Sequence, residues 1–154
     1  MSLRDLYTEV ILDHYKKPRN KGEVTNPTHH AKGHNPLCGD KLDLWIKVEN
    51  GVIANIGFTG TGCAIHTAST SMLTEKVKGL KLADAKDIIA SFLSMLLEGA
   101  PPQKELLGEL VVLEGVKDLH ARIKCATLSW HTLDLALFGM EAEKHEAAEG
   151  LEMA

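Results

Sequence analysis

At 154 residues the chain has the length of one ordinary globular domain, and its 44% hydrophobic and 25% charged residues are typical of soluble proteins. No apolar run approaches the roughly 20 residues that span a bilayer, and the net charge of −4 gives no basic bias toward nucleic acid. The composition therefore indicates neither a membrane nor a nucleic acid as partner. We expect a cytoplasmic protein, because Met1–Asp5 lack the basic start and the apolar core of a signal peptide.

The first predicted element is an amphipathic helix that begins after Ser2 and ends at Lys16-Lys17-Pro18. Positive charges at its carboxyl end and a proline behind it are typical of a helix stop. Residues 18–34 are polar and rich in turn formers, so they predict an irregular arm with at most a short strand near Ala31. The apolar residues at helical spacing are Leu3, Leu6, Tyr7, Val10, Ile11 and Tyr15.

Residues 42–58 alternate between apolar and polar side chains and predict a β-hairpin. A two-residue Asn-Gly loop would set the apolar residues of one strand against the polar residues of the other. A three-residue loop, Glu49–Gly51, places Val48 opposite Val52 and keeps the apolar residues on one face. We therefore predict the three-residue loop.

A glycine turn, Gly60-Thr61-Gly62, connects the hairpin to a predicted helix that runs to Gly79. Cys63 stands at the amino end of this helix, where unpaired N–H groups and the helix dipole favour a thiolate. A further helix is predicted from about Asp84 to Glu98. Its broad apolar face predicts a central position in the core.

Residues 103–120 fit either a helix or a strand, and both remain open. A helical pattern resumes at about Arg122 and would place Cys125 in its first turn, the same amino-end position as Cys63. We predict one domain over residues 1–138 and an acidic, Ala- and Glu-rich tail over residues 139–154. The tail is expected to be either a solvated helix extension or disordered.

The three cysteines cannot all pair, so in a reducing compartment they are either inert core groups or reactive groups. Each lies at a junction between predicted elements, and Cys38 lies in the turn Asn35–Asp40, where Gly39 permits unusual backbone angles. Three thiolates and one carboxylate form a donor set that tetrahedral zinc accepts, and iron accepts the same thiolates. We predict one metal- and sulfur-handling site made of Cys38, Asp40, Cys63 and Cys125.

These residues could also have purely structural roles. A single cysteine is often a small core hydrophobe, and Asp40 could be a turn carboxylate that binds nearby N–H groups. If Asp40 does bind metal, it is a harder and more exchangeable ligand than a fourth thiolate, which indicates a labile site.

Three further residues are predicted to lie beside the proposed ligands. His66 follows Cys63 by three residues and shares its helix face, so it is an alternative ligand, a proton handler or a lining residue. Lys124 and Arg122 would favour a thiolate at Cys125, or they are solvated cations, which suits Arg122 better. No Ser/His/Asp arrangement and no pair of acid/base carboxylates can be assembled from the sequence.

Three segments taken together resemble the U-type iron–sulfur cluster assembly proteins, the family of IscU and the NifU amino-terminal domain. The resemblance extends through the first helix and covers nearly the whole chain to about Phe138. The sequence resembles the zinc-dependent SufU-type branch in two respects: Lys124 precedes Cys125, and a long stretch separates the last two cysteines. The IscU type has histidine at the position immediately before its last cysteine. The segments are Asn35-Pro36-Leu37-Cys38-Gly39-Asp40, Gly60-Thr61-Gly62-Cys63-Ala64-Ile65 with Ala68–Met72, and Arg122–Trp130.

The resemblance implies an α+β fold in which a small antiparallel β-sheet is covered by α-helices. It also implies zinc held by Cys38, Asp40, Cys63 and Cys125. The implied function is that of a zinc-bound acceptor that takes persulfide sulfur from a cysteine desulfurase onto Cys38. The sulfur would be relayed to cluster assembly, through a downstream scaffold or an apo-protein acceptor.

Such a protein is a sulfur-transfer accessory or scaffold rather than a stand-alone catalyst. One alternative is a scaffold that carries a [2Fe–2S] cluster on Cys38, Cys63 and Cys125. Another is a structural zinc domain that serves as an interaction module. The chain departs from the family pattern at His66, where members commonly have a small hydroxyl residue.

Overall fold

The computed structural model describes residues 3–139 and 151–152, and the side chains of residues 3–7 and 151–152 are not described. The chain forms an α+β domain, as predicted. Its elements follow the order α1 (Leu3–Lys16), β1 (His29–Asn35), β2 (Asp40–Glu49), β3 (Val52–Thr61), α2 (Ala64–Val77), α3 (Leu82–Leu97), α4 (Lys104–Leu107), a 3₁₀ segment (Gly108–Asp118), α5 (His120–Phe138) and β4 (Leu151–Glu152).

The sheet has the strand order β3-β2-β1-β4, in which β1, β2 and β3 are antiparallel and the two-residue β4 runs parallel to β1. Helix α5 packs against β1 and β2, and α2 packs against both β3 and α5. The core lies between the sheet and these helices. At its centre Phe92 of α3 stacks on Trp130 of α5 with 4.0 Å between the ring centroids.

The predicted helices are present, and α1 ends at Lys16, before Pro18, as the breaker predicts. The arm was predicted to hold at most a short strand, but β1 spans seven residues, His29–Asn35. Its sequence is rich in histidine and lacks a clear apolar alternation. Only Ala31, Gly33 and Asn35 of β1 face inward, so pairing with β2 rather than its own pattern makes it a strand.

The predicted hairpin loop is wrong. Glu49 pairs with Val52, so the loop has two residues, and Asn50 and Gly51 both have positive φ, at 52° and 74°. This is the geometry of the favoured Asn-Gly hairpin turn.

A two-residue loop was expected to pair apolar residues of one strand with polar residues of the other, and a β-bulge removes this mismatch. Val48 pairs with Ile53, whereas Lys47 already pairs with Asn55, so Ala54 is an extra residue. Ile53, Ile56 and Phe58 of β3 are therefore buried with Leu42, Leu44 and Ile46 of β2. Val52 is half-buried and Ala54 is exposed, contrary to the predicted apolar face.

Helix α5 begins at His120, earlier than predicted, and Cys125 lies in its second turn. The prediction that Cys125 shares the amino-end position of Cys63 is therefore wrong. The open region between α3 and α5 is helical, as α4 and the 3₁₀ segment. Most of the predicted tail lies outside the described residues. Gly139 caps α5, and the strand Leu151–Glu152 lies beside Gly33 and His34 of β1.

Candidate metal and sulfur site

The turn between β1 and β2 brings Asn35 and Asp40 opposite each other as the last pair of the ladder. Both side chains are fully buried. The Asn35 amide accepts a hydrogen bond from the Leu37 N–H at 3.3 Å, and its NH₂ donates to Asp40 Oδ2 at 3.4 Å. Asn35 therefore ties the turn to the Asp40 carboxylate.

Helix α5 brings Cys125 to the same point. The fully buried Cys125 thiol lies 3.0 Å from Cys38 Sγ, to which it donates, and 3.8 Å from the Asn35 amide nitrogen. Ligand atoms of Cys38, Asp40 and Cys125 all lie within 4.8 Å of one another. The structure thus brings together three of the four predicted ligands.

Cys63 joins the site through α2, as its N-cap residue. Its Sγ accepts from the His66 backbone N–H at 3.5 Å, and its own backbone N–H donates to Asp40 Oδ1 at 3.1 Å. Its sulfur is not part of the group within 4.8 Å, although Cys63 contributes to the raised pKa of the Cys125 thiol. Its role as the fourth ligand stays a prediction.

Burial raises the pKa of the Cys125 thiol well above its ordinary value, and the hydrogen bonds with Cys38 and Asp40 raise it further. A raised pKa favours the protonated thiol, and Cys125 donates toward Cys38. This is opposite to the thiolate that an amino-end position would favour.

The three residues predicted to lie beside the ligands differ in their positions. His66 is buried beside Asp40, and its Nδ1 has no hydrogen-bond partner among the described protein groups. Burial lowers the His66 pKa, and the Asp40 charge partly offsets that shift. Arg122 is exposed with Nη1 4.0 Å from Cys38 Sγ, and Lys124 is half-buried.

Sequence reasoning missed two contributors to the site. Asn35 was read only as a turn former, although its side chain contacts both Asp40 and Cys125. A Cβ on Gly62 would lie 2.5 Å from Asp40 Oδ1 and 2.6 Å from the His66 ring, so this position requires glycine. The sequence signal for Gly62 was its position immediately before Cys63.

The donor set fits a tetrahedral metal ion of the zinc type. Zinc–sulfur bonds of about 2.3 Å at tetrahedral angles separate two sulfurs by about 3.8 Å. The Cys38 and Cys125 sulfurs, now 3.0 Å apart, would have to separate on binding. Because Cys38 lies in a turn, this change needs little rearrangement of the core.

Comparison with known proteins places these features in a family. The family profile described as NifU-like N terminal domain matches residues 6–126. The chain is 41% identical over 133 residues to the zinc-dependent sulfurtransferase SufU of Bacillus subtilis, covering 86% of this chain and 90% of that protein. It is 39% identical over 137 residues to the iron–sulfur cluster assembly scaffold protein IscU of Streptococcus pyogenes, covering 88% and 84%.

A solved structure shows the same fold. It is the crystal structure of a putative iron–sulfur cluster assembly scaffold protein for the SUF system from Fervidobacterium islandicum. That structure superposes with a TM-score of 0.81 at 31% identity and covers 88% of this chain and 99% of its own. Among the described residues, no helix is both long and apolar enough to cross a bilayer.

Proposed function

We propose a function that starts from family membership: this chain belongs to the family of NifU-like N-terminal domains. It acts in iron–sulfur cluster assembly, as a zinc-bound acceptor that takes persulfide sulfur from a cysteine desulfurase. It relays that sulfur to a downstream scaffold or apo-protein. The name of the B. subtilis relative, a zinc-dependent sulfurtransferase, supports this function.

The position of Cys38 is the observation that carries the proposal. Cys125 is fully buried, whereas Cys38 is half-buried in a turn whose neighbouring residue, Leu37, is 73% exposed. Cys38 also accepts a hydrogen bond from Cys125 and lies near the Arg122 guanidinium. A partner's persulfide can therefore approach Cys38, and both neighbours stabilise a negative charge on its sulfur.

Sulfur transfer onto Cys38 is a thiol exchange. The Cys38 thiolate attacks the outer sulfur of the desulfurase persulfide, and a new S–S bond forms as the old one breaks. The desulfurase cysteine leaves as a thiolate, so no electrons are gained or lost overall. The chain thus serves as a sulfur-transfer accessory and not as a stand-alone catalyst.

Cys38, Asp40, Cys63 and Cys125 would hold the zinc. When bound, zinc keeps the thiols deprotonated at neutral pH and so supplies a ready nucleophile. Asp40 is the exchangeable ligand, because the Cys63 N–H and the Asn35 amide hydrogen-bond its carboxylate independently of any metal. Its release would leave no unsatisfied buried charge.

A second candidate is a scaffold on which a [2Fe–2S] cluster is assembled on Cys38, Cys63 and Cys125. The S. pyogenes relative is named such a scaffold at nearly the same identity, and iron accepts the same thiolates. Anaerobic reconstitution checks this candidate. Absence of both cluster absorption and transfer to an apo-protein would exclude it.

We further propose that residues 1–138 form the assembly domain and that residues 139–154 are an accessory tail. A version that ends at Phe138 should accept sulfur as the whole chain does. Loss of sulfur acceptance in a folded truncated chain would contradict this division.

Turnover of a cysteine desulfurase with and without this chain tests the main proposal. We expect stimulation by the wild-type chain and none by Cys38→Ala, with folding of the variant checked by circular dichroism. Absence of stimulation by the wild type, or full stimulation by the variant, would refute the acceptor function.

A further inference from the structure

Away from the cysteines, potential metal ligands from three elements meet near the carboxyl end of α1. Ligand atoms of His14 in α1, Glu75 in α2 and Glu109 in the 3₁₀ segment all lie within 4.8 Å of one another. We propose that this group, the His14 cluster, binds a divalent first-row transition-metal ion. The inference is independent of sulfur transfer, because Glu75 lies about 18 Å along α2 from Cys63 at a rise of about 1.5 Å per residue.

The imidazole of His14 is the centre of the cluster. Only 2% of the residue is exposed, and its Nε2 lies 3.0 Å from Glu109 Oε1 and 3.9 Å from Glu75 Oε1. Metal bonds of about 2.0–2.2 Å at octahedral or tetrahedral angles separate neighbouring nitrogen and oxygen ligands by roughly 2.8–3.6 Å. The ligand atoms are therefore close to the spacing that one shared ion requires, and the two exposed glutamate side chains can adjust to it.

The other ring nitrogen of His14 is held by Ser71. His14 Nδ1 lies 2.8 Å from Ser71 Oγ, which also accepts from the Arg19 backbone N–H at 2.8 Å. A histidine that binds a metal usually has its second nitrogen fixed by a hydrogen bond. A hydroxyl can donate or accept, so Ser71 can accept from Nδ1–H while Nε2 binds the ion. This contact orients Nε2 toward the two carboxylates.

Negative charge predominates around the cluster. Two glutamates face one imidazole, whose Nε2 can donate only one proton. Arg19 Nε lies 3.7 Å from Glu75 Oε2, but its guanidinium also binds Asp13 at 2.6 Å, so the charges of Arg19 and Asp13 largely cancel. Lys76, which lines the adjoining cavity, supplies one further positive charge. A divalent cation would relieve the remaining repulsion between the two glutamate carboxylates.

The adjoining cavity provides room for the rest of a coordination shell. It has a volume of about 230 Å³, and Glu75 and Glu109 line it together with Leu107 and Leu110. Three protein ligands leave coordination positions for water, which a cavity of this size can hold. One imidazole with two carboxylates suits Mn²⁺, Fe²⁺ or Zn²⁺ better than Mg²⁺ or Ca²⁺, which take oxygen ligands. The His14 cluster therefore differs in ligand chemistry from the cysteine site.

Titration of the full-length chain with Mn²⁺ tests the inference, because Mn²⁺ prefers carboxylates to thiolates. The chain is dialysed against a chelator and then against metal-free buffer, and free Mn²⁺ is followed by electron paramagnetic resonance. We expect one Mn²⁺ bound per chain and retained in a large excess of Mg²⁺. Absence of binding, or displacement by Mg²⁺, would overturn the proposal.

Two variants at exposed positions locate the ion. Glu75→Gln and Glu109→Gln should each weaken Mn²⁺ binding by at least about 10-fold, the lower end of the loss that follows removal of a hydrogen-bonding partner of a metal ligand. Glu98→Gln is the control, since it neutralises an exposed carboxylate outside the cluster, and it should bind Mn²⁺ as the wild type does. Wild-type affinity in Glu75→Gln and Glu109→Gln would assign the ion to other groups and refute the site.

Pulsed electron paramagnetic resonance distinguishes ligation by His14 from simple attraction to the carboxylates. Bound Mn²⁺ should show magnetic coupling to an imidazole nitrogen, and His14→Gln should lose that coupling. If His14→Gln does not fold, as judged by circular dichroism, the nitrogen coupling of the wild type and the two glutamate variants still decide the question. Bound Mn²⁺ without nitrogen coupling would show only an acidic surface patch and would contradict the proposal.

Discussion

Asp40 is the residue that connects the separate parts of the site. Its carboxylate accepts from the backbone N–H of Cys63 and from the amide of Asn35, and it interacts with the Cys125 thiol. One buried carboxylate thus contacts the β1–β2 turn, the start of α2 and the helix α5. Its position depends on neighbours that sequence spacing does not reveal.

Gly62→Ala should perturb this arrangement directly. The added Cβ would lie 2.5 Å from Asp40 Oδ1 and 2.6 Å from the His66 ring, so one of them must move. We expect a loss of about 1–3 kcal/mol in the free energy of unfolding and a zinc affinity about 10–100-fold weaker. Denaturant unfolding and a zinc competition titration measure the two effects.

Gly115→Ala is the matched control, because a Cβ there meets nothing within 4 Å. It should leave zinc affinity unchanged. Equal zinc affinity in wild type and Gly62→Ala would show that the Asp40 position does not matter for metal binding.

The roles of Asn35 and Gly62 in positioning Asp40 could not be predicted from the sequence. Cysteine and aspartate are candidate metal ligands by residue type alone, so all four proposed ligands could be named from the sequence. An amide that orients a carboxylate, or a missing Cβ that makes room for one, is recognised only when the neighbour is known. The neighbours here come from other elements of the fold.

Helices α2 and α5 carry two of the site cysteines, and a buried polar bridge joins them. The Trp130 indole N–H donates to Ser69 Oγ at 2.9 Å, and that hydroxyl donates to the Ala126 carbonyl at 2.6 Å. Ala126 directly follows Cys125. The bridge therefore helps to set the position of Cys125 relative to Cys63.

Ser69→Ala should lower the free energy of unfolding by about 1–3 kcal/mol, because the Trp130 N–H would be left buried without an acceptor. Ser129→Ala is its control within the same helix pair. Ser129 Oγ is buried and has no hydrogen-bond partner among the described protein groups, so its removal should be neutral within about 0.5 kcal/mol or stabilising. Similar losses in both variants, measured by urea unfolding, would contradict this assignment.

Prediction of elements succeeded where one pattern dominates and failed where two signals compete. The helices α1, α2 and α3 have clear apolar faces and stops, and they lie close to their predicted positions. In the hairpin, the Asn-Gly turn preference and the apolar alternation disagree, and a bulge at Ala54 satisfies both. The sequence of one strand does not predict such a bulge, because a bulge is a property of the pairing between two strands.

For the whole molecule, most of the candidate site lies outside the hydrophobic core. Among the described residues, the core cluster between the sheet and the helices contains none of Cys38, Asp40 and Cys63, and the fully buried Cys125 lies beside Ala126 of that cluster. The fold should therefore be maintained by apolar burial. Metal would add stability by binding to an already folded chain.

Chelation of zinc should accordingly leave the far-ultraviolet circular dichroism spectrum unchanged. The free energy of unfolding should fall by about 2.7 kcal/mol relative to zinc at 100 times its Kd. Thermal unfolding with and without chelator measures this change. Loss of helical signal on chelation at room temperature would instead support a purely structural zinc domain.

The central claim is that Cys38 is the residue that receives sulfur. The most direct measurement is mass-spectrometric mapping after the zinc-loaded chain, a cysteine desulfurase and cysteine react for less than one turnover and are quenched with an alkylating reagent. The account predicts the extra sulfur on the peptide that contains Cys38. First appearance of that sulfur on Cys63 or Cys125, or no extra sulfur on the chain, would contradict it.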